Sequence, residues 1–142
     1  MTIVDKTNYG RYAARFPSFG LRELASPDTG EARFRLDFLV ALQSLRVAFG
    51  APMVLTSAAR TRAHNTAIGG HPRSLHVCDW DWYPGQGGAL AVDVAAVDPA
   101  YRGRLFSLAW GVGWSVGWGG RRGFLHLDKR AFVGLPQSTF DY

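Results

Sequence analysis

The sequence predicts a single α+β domain, with helices packed against a small antiparallel sheet. Three observations carry that prediction. The chain has 142 residues, 47% of them hydrophobic and 19% charged. That is the size of one domain, with enough apolar material for a core and too little charge for a disordered chain. Phe38, Leu42, Leu45 and Phe49 recur along residues 35–49 on one face of a 3.6-residue period. Residues 89–97 and 124–128 are short apolar runs of strand character.

The elements follow in order. Residues 1–34 read as an irregular lead-in punctuated by Pro17, Gly20, Pro27 and Gly30, with a short helix around residues 21–25. The helix over 35–49 meets a stop at Gly50, and Pro52 prevents its continuation. Residues 53–56 suit a short strand. Residues 57–68 suit a turn and then a helical stretch ended by Gly69-Gly70. Residues 72–88 are loop-like and carry Asp79, Trp80, Asp81, Trp82 and Tyr83. A helix is expected over 99–109, with Leu105, Leu108 and Ala109 on one side. Residues 110–123 are rich in Gly and Trp. Their glycines disfavour a helix, so they are read as a tight turn region leading into the strand at 124–128. Trp110, Trp114 and Trp118 are expected to pack a wall near the site. The tail from Arg130 reads as irregular. No repeat, low-complexity tract or linker divides residues 1–142.

Composition excludes several classes. Sixteen Lys and Arg against 11 Asp and Glu give a net charge of +5, and the pI is near 9.9. Such a balance favours acidic partners: nucleic acid, anionic membrane or an anionic wall polymer. The charges are scattered, however, as on an arginine-rich soluble surface, and no basic stripe forms. No apolar run approaches the roughly 18 residues needed to cross a bilayer. Residues 1–12 lack an apolar h-region, so no Sec signal is expected. A single cysteine excludes an intramolecular disulfide and an all-cysteine zinc site. Cys78 lies among acids, without the electropositive setting that activates a thiol. The glycines of 111–120 do not space as a dinucleotide or phosphate loop, and no G-x-S-x-G elbow occurs.

Two strand-like segments hold the candidate chemistry. In 89–95, alternation sets Leu90, Val92 and Val94 on one face and Asp93 with Ala89, Ala91 and Ala95 on the other. A carboxylate in an apolar strand is costly unless paired, hydrogen-bonded or metal-bound; a buried arginine would serve as well as an ion. In 124–128, Leu125 and Leu127 face the core and His126 shares the opposite face with Asp128. Residues two apart on a strand are about 6.5–7 Å apart, which suits a ligand plus a base or an orienting partner. A solvent-facing His–Asp pair is the alternative. His76 follows Ser74-Leu75 in a turn-rich segment. Two imidazoles and a carboxylate make a catalytic type of zinc shell, with a fourth position open to water, though this is one combination among four histidines and many acids. Arg60 offers a planar fork that can hold a carboxylate in bidentate fashion, or it is a surface arginine at a helix start.

Taken together, Leu55-Thr56-Ser57-Ala58-Ala59-Arg60, Asn65, Gly69-Gly70, Ser74-Leu75-His76, Ala91-Val92-Asp93 and Phe124-Leu125-His126-Leu127-Asp128 resemble the zinc D-Ala-D-Ala carboxypeptidase family. That family includes the phage L-alanyl-D-glutamate endolysins. The resemblance spans about residues 19–130 and is nearest to the compact members common in phage. It implies a hedgehog/D-Ala-D-Ala-peptidase-like fold with a zinc cleft on one face, and a zinc ion held by His76, Asp93 and His126. It also implies that Arg60, helped by Ser57 and Ser74, binds a carboxylate or carbonyl of a peptidoglycan stem peptide. Asn65 is expected to orient the loop around Gly69-Gly70.

Two departures from the family pattern stand out. The first His and the Asp are usually seven apart, whereas Asp93 follows His76 by 17 positions. The extra residues fall within 77–88, whose aromatics suit a groove wall or ordinary packing. Several family members place an acid three residues before the last His, where this chain has Gly123. Asp128 is therefore the first candidate for general base, or else the carboxylate that orients a ligand imidazole; Asp79 and Asp81 follow. The expected activity is zinc-dependent hydrolysis of stem-peptide bonds, by a monomer made in the cytoplasm that reaches the wall by holin-type or other non-Sec release. The alternatives are a non-catalytic zinc or peptidoglycan-binding module and a basic nucleic-acid-binding domain.

Overall fold

Two strands that the sequence did not signal open the chain. In the computed structural model, which describes residues 1–142, β1 (Ile3–Asp5) pairs antiparallel with β2 (Arg33–Arg35). The short helices α1 (Tyr9–Tyr12) and α2 (Leu21–Leu24) lie between them. Each of these strands buries one residue, Val4 or Phe34, so there is no alternation for a period to reveal.

The long helix α3 (Leu36–Phe49) forms where its apolar stripe places it. Gly50 closes it in the left-handed conformation at φ 71°, donating its N–H to Arg46. Phe38, Leu39, Leu42 and Leu45 are buried; each such side chain stabilises the fold by about 1.5–3 kcal/mol through removal from water. Phe38 stacks on Phe34 and meets the edge of Trp114.

The remaining strands form one sheet, with two helices between them. In chain order these elements are β3 (Leu55–Ser57), α4 (Arg62–Ala67), β4 (Ala91–Ala95), α5 (Pro99–Gly111), β5 (Ser115–Trp118), β6 (Phe124–Asp128) and β7 (Thr139–Asp141). The helix starts are set locally: Thr61 caps α4 through His64 N–H, and Asp98 caps α5 ahead of Pro99. The strand order is β3-β4-β6-β5-β7. All pairings are antiparallel except β5–β7, which is parallel and makes the sheet mixed.

Cross-strand register divides the sheet into two faces. Val92 of β4, Leu127 of β6 and Val116 of β5 align in one row, with Val94 opposite Leu125 beside it. This face packs into the core with α3 and with Leu105 and Ala109 of α5. On the other face, Asp93 lies opposite His126, His126 opposite Gly117, and Gly117 beside Phe140.

The Gly- and Trp-rich stretch corrects two expectations. It contains the strand β5, and its tryptophans are not a wall of the site. Trp114 is buried against Phe38, and Trp118 packs on Phe106 of α5. Alternation puts Trp118 on the same face as Val116, away from Gly117. The tail also holds more structure than its sequence signals, because it supplies β7.

The loop within 77–88 leaves and returns at a stapled neck. Arg60 and Val77 form a β-bridge, and Leu90 N–H donates to Leu75. Asp81 accepts from the N–H groups of Gly87 and Gly88 and from Arg33. Buried Gln86 accepts from the Trp82 and Tyr83 N–H groups and donates to Gly88. The inserted residues therefore loop out without displacing His76 from Asp93.

Candidate metal centre

Asp93 and His126 meet because β4 and β6 place them directly opposite each other, a position in which side chains are within reach. His76 arrives from outside the sheet. Its carbonyl accepts from Arg60 N–H at 2.8 Å, which fixes it to the segment that follows β3. The three side chains converge on one point. His76 Nε2 lies 3.1 Å from Asp93 Oδ1 and 3.2 Å from His126 Nδ1, and His126 Nδ1 lies 3.0 Å from Asp93 Oδ1.

The outer hydrogen bonds show what those three atoms carry. His76 Nδ1 lies 2.6 Å from the carbonyl of Ala58, so it holds the proton of the neutral ring and Nε2 keeps a lone pair. His126 Nε2 donates to Asp128 Oδ2 at 2.8 Å, which leaves a lone pair on Nδ1. Three acceptors thus face one another, and only a cation among them, a metal ion or a proton, makes this favourable. Ligands of a tetrahedral ion with bonds of about 2.0–2.2 Å stand roughly 3.3–3.5 Å apart. The triangle is close to that spacing, and the donor set of two imidazoles and a carboxylate fits a metal ion. Each imidazole is also anchored through its other nitrogen, as metal-binding histidines are.

The electrostatics agree with this arrangement. Burial pushes the His76 imidazole below its ordinary value, which favours the neutral ring. Burial opposes the charged form of Asp93, but hydrogen bonds and positive charge on the side where the imidazoles meet it outweigh burial and hold the carboxyl well below the usual range. Burial also opposes charging of His126, yet its bonds to Asp128 and Asp93 raise its pKa.

A comparison with known families decides the lineage. The Peptidase M15 profile matches residues 21–128, which span α2 to α5, the sheet core and all three donors. The chain belongs to the Peptidase M15 family. No curated protein and no solved structure matches it. For a Peptidase M15 member, a metal site at His76, Asp93 and His126 is consistent with the family.

The other residues named from the sequence lie around this centre. Arg60 is buried, and its guanidinium donates to Ser57 Oγ, Asn65 Oδ1 and Asp93 Oδ2 at 3.0, 3.3 and 3.2 Å. Ser57 therefore holds Arg60. Arg60 still has two N–H groups to spare of its five, and it lines the cleft. Ser74, also at the cleft, accepts from His76 N–H. Asn65 accepts from Arg60 and donates to the carbonyl of His71. This requires Gly70, since a Cβ there would stand 2.1 Å from Asn65 Oδ1.

The acids considered for proton transfer are engaged elsewhere. Asp128 is fully buried on the far side of the His126 ring. It accepts from His126, from Arg130 N–H, and from the Arg130 guanidinium at 2.9 and 2.7 Å. Burial alone would raise its pKa, but these bonds bring it down to about 2. Asp79 accepts from Arg62 N–H, and Asp81 closes the neck of the loop. Gly123 occupies a left-handed turn at φ 69°.

The cleft above the donors has a volume of about 680 Å³. Arg73, Arg122, Arg130 and His71 line it with Tyr83 and Tyr142. Of the loop aromatics only Tyr83 forms part of this wall; Trp80 is half-exposed beside Arg62. Sequence reasoning missed Arg130, Gln86 and Tyr142. Arg130 did have a signal, because it continues the alternation of His126 and Asp128.

Cys78 takes no part. Burial, reinforced by Asp79 and Glu31, pushes its thiol up to about 12. The native protein should resist a thiol reagent at mildly alkaline pH and react fully once denatured. Labelling of the folded protein at the denatured rate would contradict this.

Proposed function

We propose that the protein is a zinc peptidase that hydrolyses peptide bonds in peptidoglycan stem peptides. The observation that carries the reading is the triangle of His76, Asp93 and His126, set at an arginine-lined cleft in a Peptidase M15 chain. The donor set fits zinc by ligand type and number. When bound, zinc supplies water activation and polarisation of the scissile carbonyl.

The chain's own residues supply the rest. Asp128, with Arg130, orients His126, and the Ala58 carbonyl orients His76. Arg60 fixes Asp93 and offers its two remaining N–H groups to the peptide. Ser74 has its O–H free to donate to the bound chain. Stem peptides are anionic, and Arg73 and Arg122 line the cleft with charge to draw their carboxylates. This reading places the site of action at the cell wall, with endolysin-type lysis as one setting.

Mass spectrometry of defined muropeptides tests it. The zinc-loaded protein should release fragments cut at one stem-peptide bond, and a chelator should stop their release. The fragment masses distinguish L-alanyl-D-glutamate cleavage from D-Ala-D-Ala cleavage. A protein that holds zinc and releases no fragment at any pH would be a binding module instead.

A further inference from the structure

The hydroxyl of Tyr142 is an oriented polar group of the cleft that none of the roles above uses. We propose that it contacts the substrate directly, donating a hydrogen bond to the carbonyl oxygen of the scissile peptide bond. This inference rests on the peptidase reading and adds a residue to it.

The placement of Tyr142 is built by the sheet. β7 runs parallel to β5, with Phe140 beside Gly117. The N–H of Tyr142 continues the ladder to the carbonyl of Trp118 at 2.8 Å. Strand alternation then sends Phe140 and Tyr142 to the face that carries His126. Gly117 makes the approach possible: a Cβ there would lie 2.7 Å from the Phe140 ring and 3.1 Å from His126 Cβ.

The ring is then held on several sides. It stacks on the His126 imidazole at 4.4 Å between centroids and 17° between planes. Phe124 meets it edge-on at 5.5 Å. The Arg122 guanidinium grips the Tyr142 carbonyl at 2.6 Å. So held, the side chain lines the cleft and lies near Arg60 and Asp93.

Its hydroxyl proton is available. Tyr9 and Tyr101 give theirs to the carbonyls of Phe19 and Pro52, but Tyr142 has no such carbonyl partner. With Asp79, Asp81 and Asp128 engaged elsewhere, this hydroxyl joins the Ser74 O–H and the Arg60 guanidinium as a donor at the cleft. Donors fixed in advance near a developing oxyanion strengthen as its charge grows, and removal of one typically costs about 10²–10³-fold in kcat.

Tyr142→Phe keeps the stacked ring and removes only the hydroxyl. With muropeptide substrate, kcat should fall on the order of 10²-fold while zinc content and thermal midpoint stay at the wild-type values. A stem peptide made uncleavable by N-methylation of the scissile amide should bind the zinc-loaded variant about 5-fold more weakly, as expected for one lost neutral hydrogen bond. Unchanged kcat and unchanged peptide affinity would overturn the proposal. Loss of zinc or of thermal stability in parallel with activity would overturn it too, by making Tyr142 a support for His126. If the wild type cleaves and the variant cleaves equally well, this inference alone fails. If the wild type neither binds nor cleaves, the peptidase reading fails and takes this contact with it.

Discussion

His76→Ala and His126→Ala are each expected to abolish tight metal binding and, with it, peptidase activity, by at least about 10³-fold. The donor triangle has three members, and a catalytic zinc site has only three protein ligands to give. Removing one leaves two donors and a half-built shell. The remaining groups would relax toward each other: Asp93 already pairs with Arg60 at 3.2 Å and can keep that partner without an ion. The folded chain should survive, because the core lies on the opposite face of the sheet. Circular dichroism should therefore match the wild type while metal analysis after dialysis shows less than one equivalent. Asp93→Asn provides a control of equal volume, which removes the charge and leaves the shape. Full activity in either His variant would defeat the ligand assignment.

The second large effect is expected at Asp128, where two roles for one carboxylate make different predictions. A general base contributes to the rate and leaves metal affinity alone. A carboxylate that orients a ligand imidazole contributes to metal affinity, typically 10–100-fold. Both oxygens of Asp128 are bound by His126 and Arg130, and the group sits behind the imidazole. Asp128→Asn is accordingly expected to weaken zinc binding by about 10–100-fold, measured by competition with a chromophoric chelator. Activity at saturating zinc should recover in large part. The variant should also be less stable, since the Arg130 guanidinium loses its charged partner. Wild-type zinc affinity together with a collapsed kcat would restore the role of general base.

Much of the core of this site was legible in the sequence because strand alternation assigns faces. Asp93 between valines and His126 between leucines had to point away from the core, and α3 declared itself through Phe38, Leu42, Leu45 and Phe49. Cross-strand register was not legible, since the position of Asp93 opposite His126 depends on how two distant segments align. The same limit hid the engagement of Arg60. Its side chain reads as a free fork in sequence, yet in the fold it binds Ser57, Asn65 and Asp93. For Asp128 the sequence left two roles open; the bonds that Arg130, two residues later, makes to both its oxygens appear only in the fold. β7 was the least legible element. Three residues cannot display a period, and their pairing depends on the space left at Gly117. The loop within 77–88 looked like a threat to the site, but its neck is closed by Asp81 and Gln86, whose roles appear only when the chain is folded.

The most direct test of the central claim is anomalous X-ray diffraction at the zinc absorption edge from crystals of zinc-loaded protein. The account predicts one strong peak about 2.0–2.2 Å from His76 Nε2, Asp93 Oδ1 and His126 Nδ1 together. A peak elsewhere, or His76 and His126 turned toward different partners with no peak between them, would contradict it.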